Sequence, residues 1–276
     1  MPTSVGTAAA PVGRGPAAGV AVPLLMVAGA AAQFLVFAAI AATAGLSAGG
    51  WLAGTAYGLV LCGALAAGMR RAGMRAMGPA NAVTFARALM VGGVTAMVVS
   101  SFSRPVHLAG LVVLVGVALA LDGVDGQVAR RTGSATKLGA RFDMEVDAFL
   151  ILGLSVFIAG TFGWWTVAIG AFRYVFVAAS WAAPWLTAPL PPRFSRKVVA
   201  AAQGVILVVA TAHLLPYPIA LAAVTAALAA LTWSFGRDVG WLWRTEQIRR
   251  TVRDPARTSP IVPRQRLVAR EAGSVC

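Results

Sequence analysis

The chain has 276 residues, of which 59% are hydrophobic and only 12% charged, and its formal net charge is +14. Because an ordinary soluble domain carries about 25% charged residues, this composition excludes a soluble globular protein with a charged surface. Several apolar segments approach the roughly 20 residues that a helix needs to cross about 30 Å of hydrocarbon. Backbone groups in lipid must be hydrogen-bonded within their own element, so these segments predict an α-helical, polytopic membrane protein.

In chain order, residues 1–19 are rich in Ala, Pro and Gly and predict a disordered tail. The apolar segment at about Val20–Thr43 is too long for a signal peptide and predicts a retained helix. Seven further spans are expected, at about Trp51–Gly68, Leu89–Phe102, His107–Leu121, Ala148–Phe162, Gly163–Trp185, Lys197–Leu215 and Tyr217–Phe235. The third of the eight spans could begin earlier in the sequence. The fourth and fifth could continue into the acidic segment between them.

The positive charge is distributed as in a membrane protein. Nine of the 23 Lys and Arg residues lie between Arg237 and Arg270, and most others occupy gaps between apolar segments. Basic residues follow the second, fourth and sixth spans, whereas the alternate gaps carry little charge. By the positive-inside rule, both termini and the acidic segment are predicted to face the cytoplasm, in the cell membrane. No recognisable nucleic-acid-binding module accompanies the charge, so no nucleic-acid partner is expected.

The acidic residues are concentrated in one segment. Five of the nine lie between Asp122 and Asp147, and none precedes Asp122. Ionisable groups at membrane depth are energetically costly and indicate functional sites. Asp122 and Asp125 are three residues apart, and Asp143 and Asp147 are four apart, so each pair shares one helix face. Facing helices that each project two carboxylates inward form a site for hard divalent cations.

The residues between the two pairs favour a phosphate-bearing ligand. Gly126 and Gly139 remove side-chain bulk beside the carboxylates, and Arg130 supplies a fixed positive charge suited to phosphate. Two alternatives stay open here. The acids could form a structural cluster that neighbouring Arg and Lys residues neutralise. They could also belong to an ion-coupled transporter, although transporters usually spread ionisable groups over several helices and contain a repeat.

The acidic segment matches a known pattern at every fixed position. Asp122-Gly-Val-Asp-Gly-Gln-Val-Ala-Arg130, with Gly139, Asp143 and Asp147, fits D-x2-D-G-x2-A-R-x8-G-x3-D-x3-D. This pattern resembles the signature of the CDP-alcohol phosphotransferases, or CDP-alcohol phosphatidyltransferases. The resemblance implies an all-α, six-helix core in residues 77–235, two additional transmembrane helices in residues 20–68, and a basic cytoplasmic tail in residues 236–276.

The resemblance also implies a reaction. A CDP-activated donor, most often CDP-diacylglycerol, would give its phosphatidyl group to an alcohol acceptor and release CMP, in phospholipid biosynthesis. Two Mg²⁺ or Mn²⁺ ions are implied, with Asp122, Asp125, Asp143 and Asp147 as ligands and Asp147 also as the general base. Glu145 lies off their shared face and is expected to be a bystander. A homodimer is also expected.

Weaker matches extend the expected site. Asn81, Thr84 and Arg87 resemble the P-N-x-x-T-x-x-R segment that helps to bind CDP, although Ala80 displaces the proline by one position. Asn81 and Thr84 could instead cap a helix. The implied CDP- and phosphate-binding residues are thus Asn81, Thr84, Arg87, Gly126, Ala129, Arg130 and Gly139.

The acceptor is less clearly indicated. Lys197 fits part of a basic stretch in the phosphatidylglycerophosphate and cardiolipin synthase branches, and Arg173 takes the place of an Arg-Glu pair there. Both are candidate acceptor-binding residues, although Lys197 could instead be part of a basic helix start at the inner face, and Arg173 could instead pair with a motif carboxylate. Ala148 follows the last aspartate, where those branches usually have Lys and the inositol-phosphate branch Arg. A choline- or ethanolamine-type phosphotransferase acting on diacylglycerol is the alternative within the family.

Overall fold

The computed structural model describes residues 20–74, 76–132, 136–191 and 193–253. Eight long helices make up most of them: α1 (Val22–Thr43), α2 (Ala48–Arg71), α3 (Pro79–Ser100), α4 (Leu108–Thr132), α5 (Lys137–Phe162), α6 (Val167–Ala182), α7 (Phe194–Thr211) and α8 (Tyr217–Arg253). Short 3₁₀ turns precede and follow α6, and one antiparallel pairing joins the two-residue strands β1 (Val20–Ala21) and β2 (Ala76–Met77). Eight helical segments in this part of the chain are long and apolar enough to cross a membrane, which confirms the predicted all-α polytopic fold class.

Local signals fix where the helices begin. The Ser47 hydroxyl accepts a hydrogen bond from the Gly50 amide at 3.0 Å and caps α2. The Thr136 hydroxyl caps α5 in the same way, accepting from the Gly139 amide at 2.9 Å. Pro79 stands at the start of α3, where its missing N–H has no intrahelical partner to lose. The third span therefore begins ten residues before Leu89, and α5 includes both of its signature aspartates.

Helix α3 lies at the centre of the bundle. Of its most apolar window, 67% is buried, against 17% for the windows of α1 and α2. It packs against α1, α2, α4 and α5. Small residues allow close crossings: a Cβ at Gly50 would collide with the Ala96 carbonyl oxygen of α3, and one at Gly170 would collide with the Leu152 backbone of α5. Functional groups on α3 are therefore held rigidly against α4 and α5.

The outer surface of the bundle is apolar. Leu52, Val60 and Trp181 are among the large hydrophobic side chains that stay largely exposed. Such a surface is stable when lipid chains rather than water solvate it. The many exposed hydrophobic residues therefore agree with a protein that has lipid as its lateral solvent.

Helix α8 continues well past Phe235, the expected end of the last span. It runs to Arg253, so the first part of the expected 236–276 tail is helical, and residues 254–276 lie outside the described residues. Two contacts attach this extension to α7. The Arg196 Nε atom lies 3.4 Å from a carboxylate oxygen of Asp238, and Arg237 donates to the Ser195 hydroxyl at 3.0 Å. These bonds compensate the polar residues where α8 leaves the apolar bundle.

Candidate active site

Three of the four signature aspartates converge between α4 and α5. Asp122 on α4 and Asp143 and Asp147 on α5 each offer a carboxylate oxygen, and these oxygens lie within 4.8 Å of one another. Their side chains are 44%, 36% and 49% exposed, respectively. Asp125 also lies on α4, but its side chain is outside the described part of the structure. The described carboxylates form a compact acidic centre that remains open to a ligand.

The guanidinium group of Arg87 lies among these carboxylates. It contacts Asp122, and its Nη2 lies 2.7 Å from Asp143 Oδ1 and 2.9 Å from Asp147 Oδ1. The same nitrogen donates to the Asp143 carbonyl oxygen at 3.2 Å. The Arg87 side chain is only 1% exposed, because α3 delivers it from the centre of the bundle. Arg87 therefore holds groups from two helices in one arrangement.

The charges of these four side chains do not cancel. Three carboxylates contribute −3 and one guanidinium +1, so the described centre carries −2. Oxygen-only donors with surplus negative charge are what hard divalent cations such as Mg²⁺ and Mn²⁺ prefer. Oxygens on opposite sides of one Mg²⁺ lie roughly 4.0–4.2 Å apart, because each Mg–O bond is about 2.0–2.1 Å long. The described carboxylate oxygens all lie within 4.8 Å of one another, so small movements would bring them to one shared cation.

Two of the expected CDP-binding residues meet beside this centre. Asn81, at the start of α3, is buried, and its amide nitrogen donates to the Thr136 hydroxyl at 3.4 Å. A Cβ at Gly139 would overlap the Asn81 side-chain oxygen, so glycine at this position lets the beginnings of α3 and α5 approach closely. Asn81 does not cap α3, because Gly78 occupies the N-cap position. Asn81 and Gly139 thus join the two helices that supply Arg87 and two aspartates.

The other expected CDP-binding residues lie on the same helices. Thr84 is buried on α3, and its hydroxyl donates to the Ala80 carbonyl oxygen at 3.3 Å, as within a helix and not as a cap. Gly126 lies on α4 one turn after Asp122. Ala129 and Arg130 also lie on α4, but their side chains are outside the described residues. CDP binding by all of these residues remains a prediction.

Arg173 makes its contacts with the residue that was expected to be a bystander. Its Nη2 and Nε donate to the two carboxylate oxygens of Glu145 at 2.5 and 3.2 Å, and its Nη1 lies 3.0 Å from the Met144 sulfur. Arg173 thus pairs with a carboxylate, but with that of Glu145 and not, among the described side chains, with a motif aspartate, which was the expected alternative. Glu145 thus joins α5 to α6, a role that its sequence position did not indicate.

Lys197 lies in the first turn of α7, and it takes no part in the contacts of Arg173 with Glu145 and Met144. Its neighbour Arg196 is the residue engaged with Asp238. Acceptor binding by Lys197 and Arg173 stays a prediction.

Sequence reasoning also missed that Arg87 lies among the aspartates. Its position on the same helix face as Thr84, as the only basic residue of α3, was the available signal.

The fold and this centre define a polytopic membrane protein with an oxygen-rich site suited to a divalent cation and phosphate chemistry. A family model described as CDP-alcohol phosphatidyltransferase matches residues 77–236, more than half of the chain. The chain belongs to this family, which confirms the resemblance, and it is a transferase of substituted phosphate groups that acts in phospholipid biosynthesis. No curated protein and no solved structure matches the chain. Helices α1 and α2 precede the matched residues.

Proposed function

We propose that the protein transfers a phosphatidyl group from CDP-diacylglycerol to an alcohol acceptor and releases CMP. Family membership already gives a CDP-alcohol donor, an alcohol acceptor and dependence on a metal. The observation that carries the proposal is the convergence of Asp122, Asp143 and Asp147 within 4.8 Å around the buried Arg87. Phosphoryl transfer depends mainly on positioning and charge neutralisation, which such a centre provides.

Each residue has a proposed task. Asp122, Asp125 and Asp143, together with Asp147, would hold two Mg²⁺ or Mn²⁺ ions, which would supply positive charge to the donor diphosphate and the departing phosphate. Asp147 has the most exposed of the three described carboxylates and accepts the proton of the acceptor hydroxyl. The hydroxyl oxygen then bonds to the phosphorus that bears diacylglycerol. The bond from this phosphorus to the bridging oxygen breaks, and CMP leaves with that oxygen.

A lipid donor is supported by the surroundings of the acidic centre. Val124 on α4 and Met144 on α5 are exposed apolar side chains within two residues of signature aspartates. The acyl chains of a lipid donor can extend from the carboxylates along these apolar side chains, which a soluble substrate would not use. The diphosphate would then lie at the carboxylates with its diacylglycerol chains directed along the helices.

We place the active site and both termini on the cytoplasmic side of the cell membrane. The end of α2, with Arg70 and Arg71, lies beside the beginning of α5, where a Cβ at Gly68 would contact Leu138. The structure thus brings together two basic segments that the positive-inside rule predicts to be cytoplasmic. CDP-activated donors are also available on this side. The expected homodimer is kept as part of the proposal, to be tested by mass photometry of the purified protein.

The test is a transfer assay on purified protein in nanodiscs. Labelled CDP-diacylglycerol and Mg²⁺ are supplied with a panel of acceptors, including glycerol 3-phosphate, inositol phosphate, serine and phosphatidylglycerol. We expect one acceptor to yield a labelled phospholipid with equimolar CMP, and the Asp143→Asn protein to yield neither. Consumption of CDP-choline or CDP-ethanolamine with diacylglycerol, and not of CDP-diacylglycerol, would replace this proposal with the alternative branch of the family.

A further inference from the structure

A large groove separates the additional helix α2 from α5 of the core. Its volume is about 760 Å³, and α3 and α6 contribute smaller parts of its lining. Most of the lining is apolar, including Ala53 and Ala64, and the rings of Tyr57 and Phe149 meet across it with centroids 4.7 Å apart. We refer to it as the α2–α5 groove. Because one wall is α2, which precedes the residues matched by the family model, the groove is a feature of this chain's added helices.

The length of the α2–α5 groove fits one lipid molecule. Its lining on α2 extends from Arg71 to Ala53, or 18 residues. At 1.5 Å per residue this corresponds to about 27 Å along the helix. Half of a bilayer that is about 40–45 Å thick with its headgroups measures roughly 20–22 Å. The groove is therefore long enough for an extended phospholipid, from its phosphate to the end of one acyl chain.

The charges of the groove specify the kind of lipid. Arg71 and Arg141 are exposed and line the end of the groove where α2 finishes and α5 begins. Glu145 also lines the groove, but its carboxylate is engaged by Arg173 at 2.5 Å. Two guanidinium groups beside an apolar channel suit a phosphate headgroup with attached hydrocarbon. An anionic lipid is favoured over a zwitterionic one, since no further acid of the described lining offsets the arginines.

The groove is separate from the acidic centre. Its α5 lining includes Leu138, Arg141, Glu145 and Phe149, which recur at helical spacing and share one face. Phe142 and Val146 complete this lining. At about 100° per residue, Asp143 and Asp147 point roughly 130° and 170° away from its centre. A lipid in the groove would therefore lie on a different face of α5 from the reacting carboxylates. We propose that the α2–α5 groove binds an anionic phospholipid through Arg71 and Arg141, as a resident lipid that joins the added helices to the core.

Native mass spectrometry of the full-length protein tests this proposal. The protein is equilibrated in mixed phosphatidylcholine–phosphatidylglycerol vesicles, extracted in mild detergent, and its retained lipid is identified. We expect phosphatidylglycerol to be enriched at least fivefold over its bulk fraction. The double variant Arg71→Gln/Arg141→Gln should lose this enrichment, and Ala64→Phe, which fills the groove, should lose the lipid itself. Arg70→Gln, on the same helix end but outside the lining, and Ala222→Phe, exposed on α8, are the matched controls.

Several results would overturn the proposal. Equal retention of phosphatidylcholine, or equal loss in Arg70→Gln and in the double variant, would show that no anionic site exists in the groove. Displacement of the lipid by CDP-diacylglycerol would show that the groove binds the donor substrate and not a resident lipid. If Ala64→Phe separated a dimer without changing lipid retention, a second copy would be the occupant. Repeating the measurement on Asp143→Asn protein separates this question from the proposed reaction, because the lipid should still be retained.

Discussion

Replacing Arg87 with methionine is the sharpest test of how the acidic centre is held together. The substitution keeps an unbranched chain that reaches as far as Nε of Arg87 and removes the terminal guanidinium nitrogens that contact Asp122, Asp143 and Asp147. Three carboxylate oxygens would then face one another within 4.8 Å. At this separation, one pair of like charges repels by roughly 1 kcal/mol at a dielectric constant of 80 and about 3.5 kcal/mol at 20.

The burial of Arg87 and the exposure of the carboxylates narrow the range of the expected destabilisation. Removing one partner of a fully buried ion pair costs about 3–5 kcal/mol. The carboxylates here are 36–49% exposed, so water screens part of their repulsion. We expect Arg87→Met to lower the free energy of unfolding by about 2 kcal/mol. For a chain of this size, that corresponds to a decrease of roughly 4–8 °C in the apparent Tm.

The assay is thermal unfolding in detergent, followed by the fluorescence of the eight tryptophans. Arg104→Met is the control, because Arg104 is exposed in the loop before α4 and should cost less than about 0.5 kcal/mol. Added Mg²⁺ should stabilise Arg87→Met more than the unmodified protein, since it supplies positive charge to the same oxygens. Equal Tm values for Arg87→Met and Arg104→Met would refute the role given to Arg87.

Four further predictions concern the site and its orientation. Asp143→Asn should keep the fold and lose more than about 90% of turnover, at least about 1.4 kcal/mol of barrier, and greater residual activity would argue against its ligand role. Exhaustive chelation should abolish transfer and Mg²⁺ or Mn²⁺ should restore it, whereas full activity after chelation would contradict a metal centre. Gly139→Ala should lower stability and activity through its clash with Asn81, while Gly153→Ala, with open space on the same helix, should lower neither. In intact cells, an impermeant thiol reagent should label Ser103→Cys and spare Ser134→Cys, and the reverse pattern would invert the proposed topology.

The helices were predictable from composition, but several of their ends were not, and the start of α3 is the one that matters most for the site. Hydropathy placed the third span at Leu89–Phe102, whereas α3 begins at Pro79. The first part of α3, which the predicted span omitted, contains Asn81, Thr84 and Arg87. These polar residues lower the hydropathy of the segment, so it does not resemble a lipid-facing helix. Their side chains are buried inside the protein, where bonding partners and not lipid surround them. Hydropathy cannot distinguish polar residues that face the bundle interior from those that end a span.

The acidic centre was predictable to the extent that it depends on local spacing. Residues four apart share a helix face, so the proximity of Asp143 and Asp147 followed from sequence. The contacts of Arg87 did not, because they join residues 35 to 60 positions apart. The pairing of Arg173 with Glu145 crosses from α6 to α5 and depends on helix rotation, so spacing alone did not indicate it.

The pattern of burial argues that the cluster is functional and not only structural. A structural ion cluster in a membrane bundle is most stable when all of its charges are enclosed and compensated, and even then an apolar replacement is often equally stable. In this centre the guanidinium side chain of Arg87 is buried, with 1% exposure, whereas the three carboxylate side chains remain 36–49% exposed. The arrangement leaves a charge of −2 accessible from outside the bundle. Arg87 compensates enough charge to position the carboxylates, and the remaining charge is available to the cations that bring a diphosphate to the site.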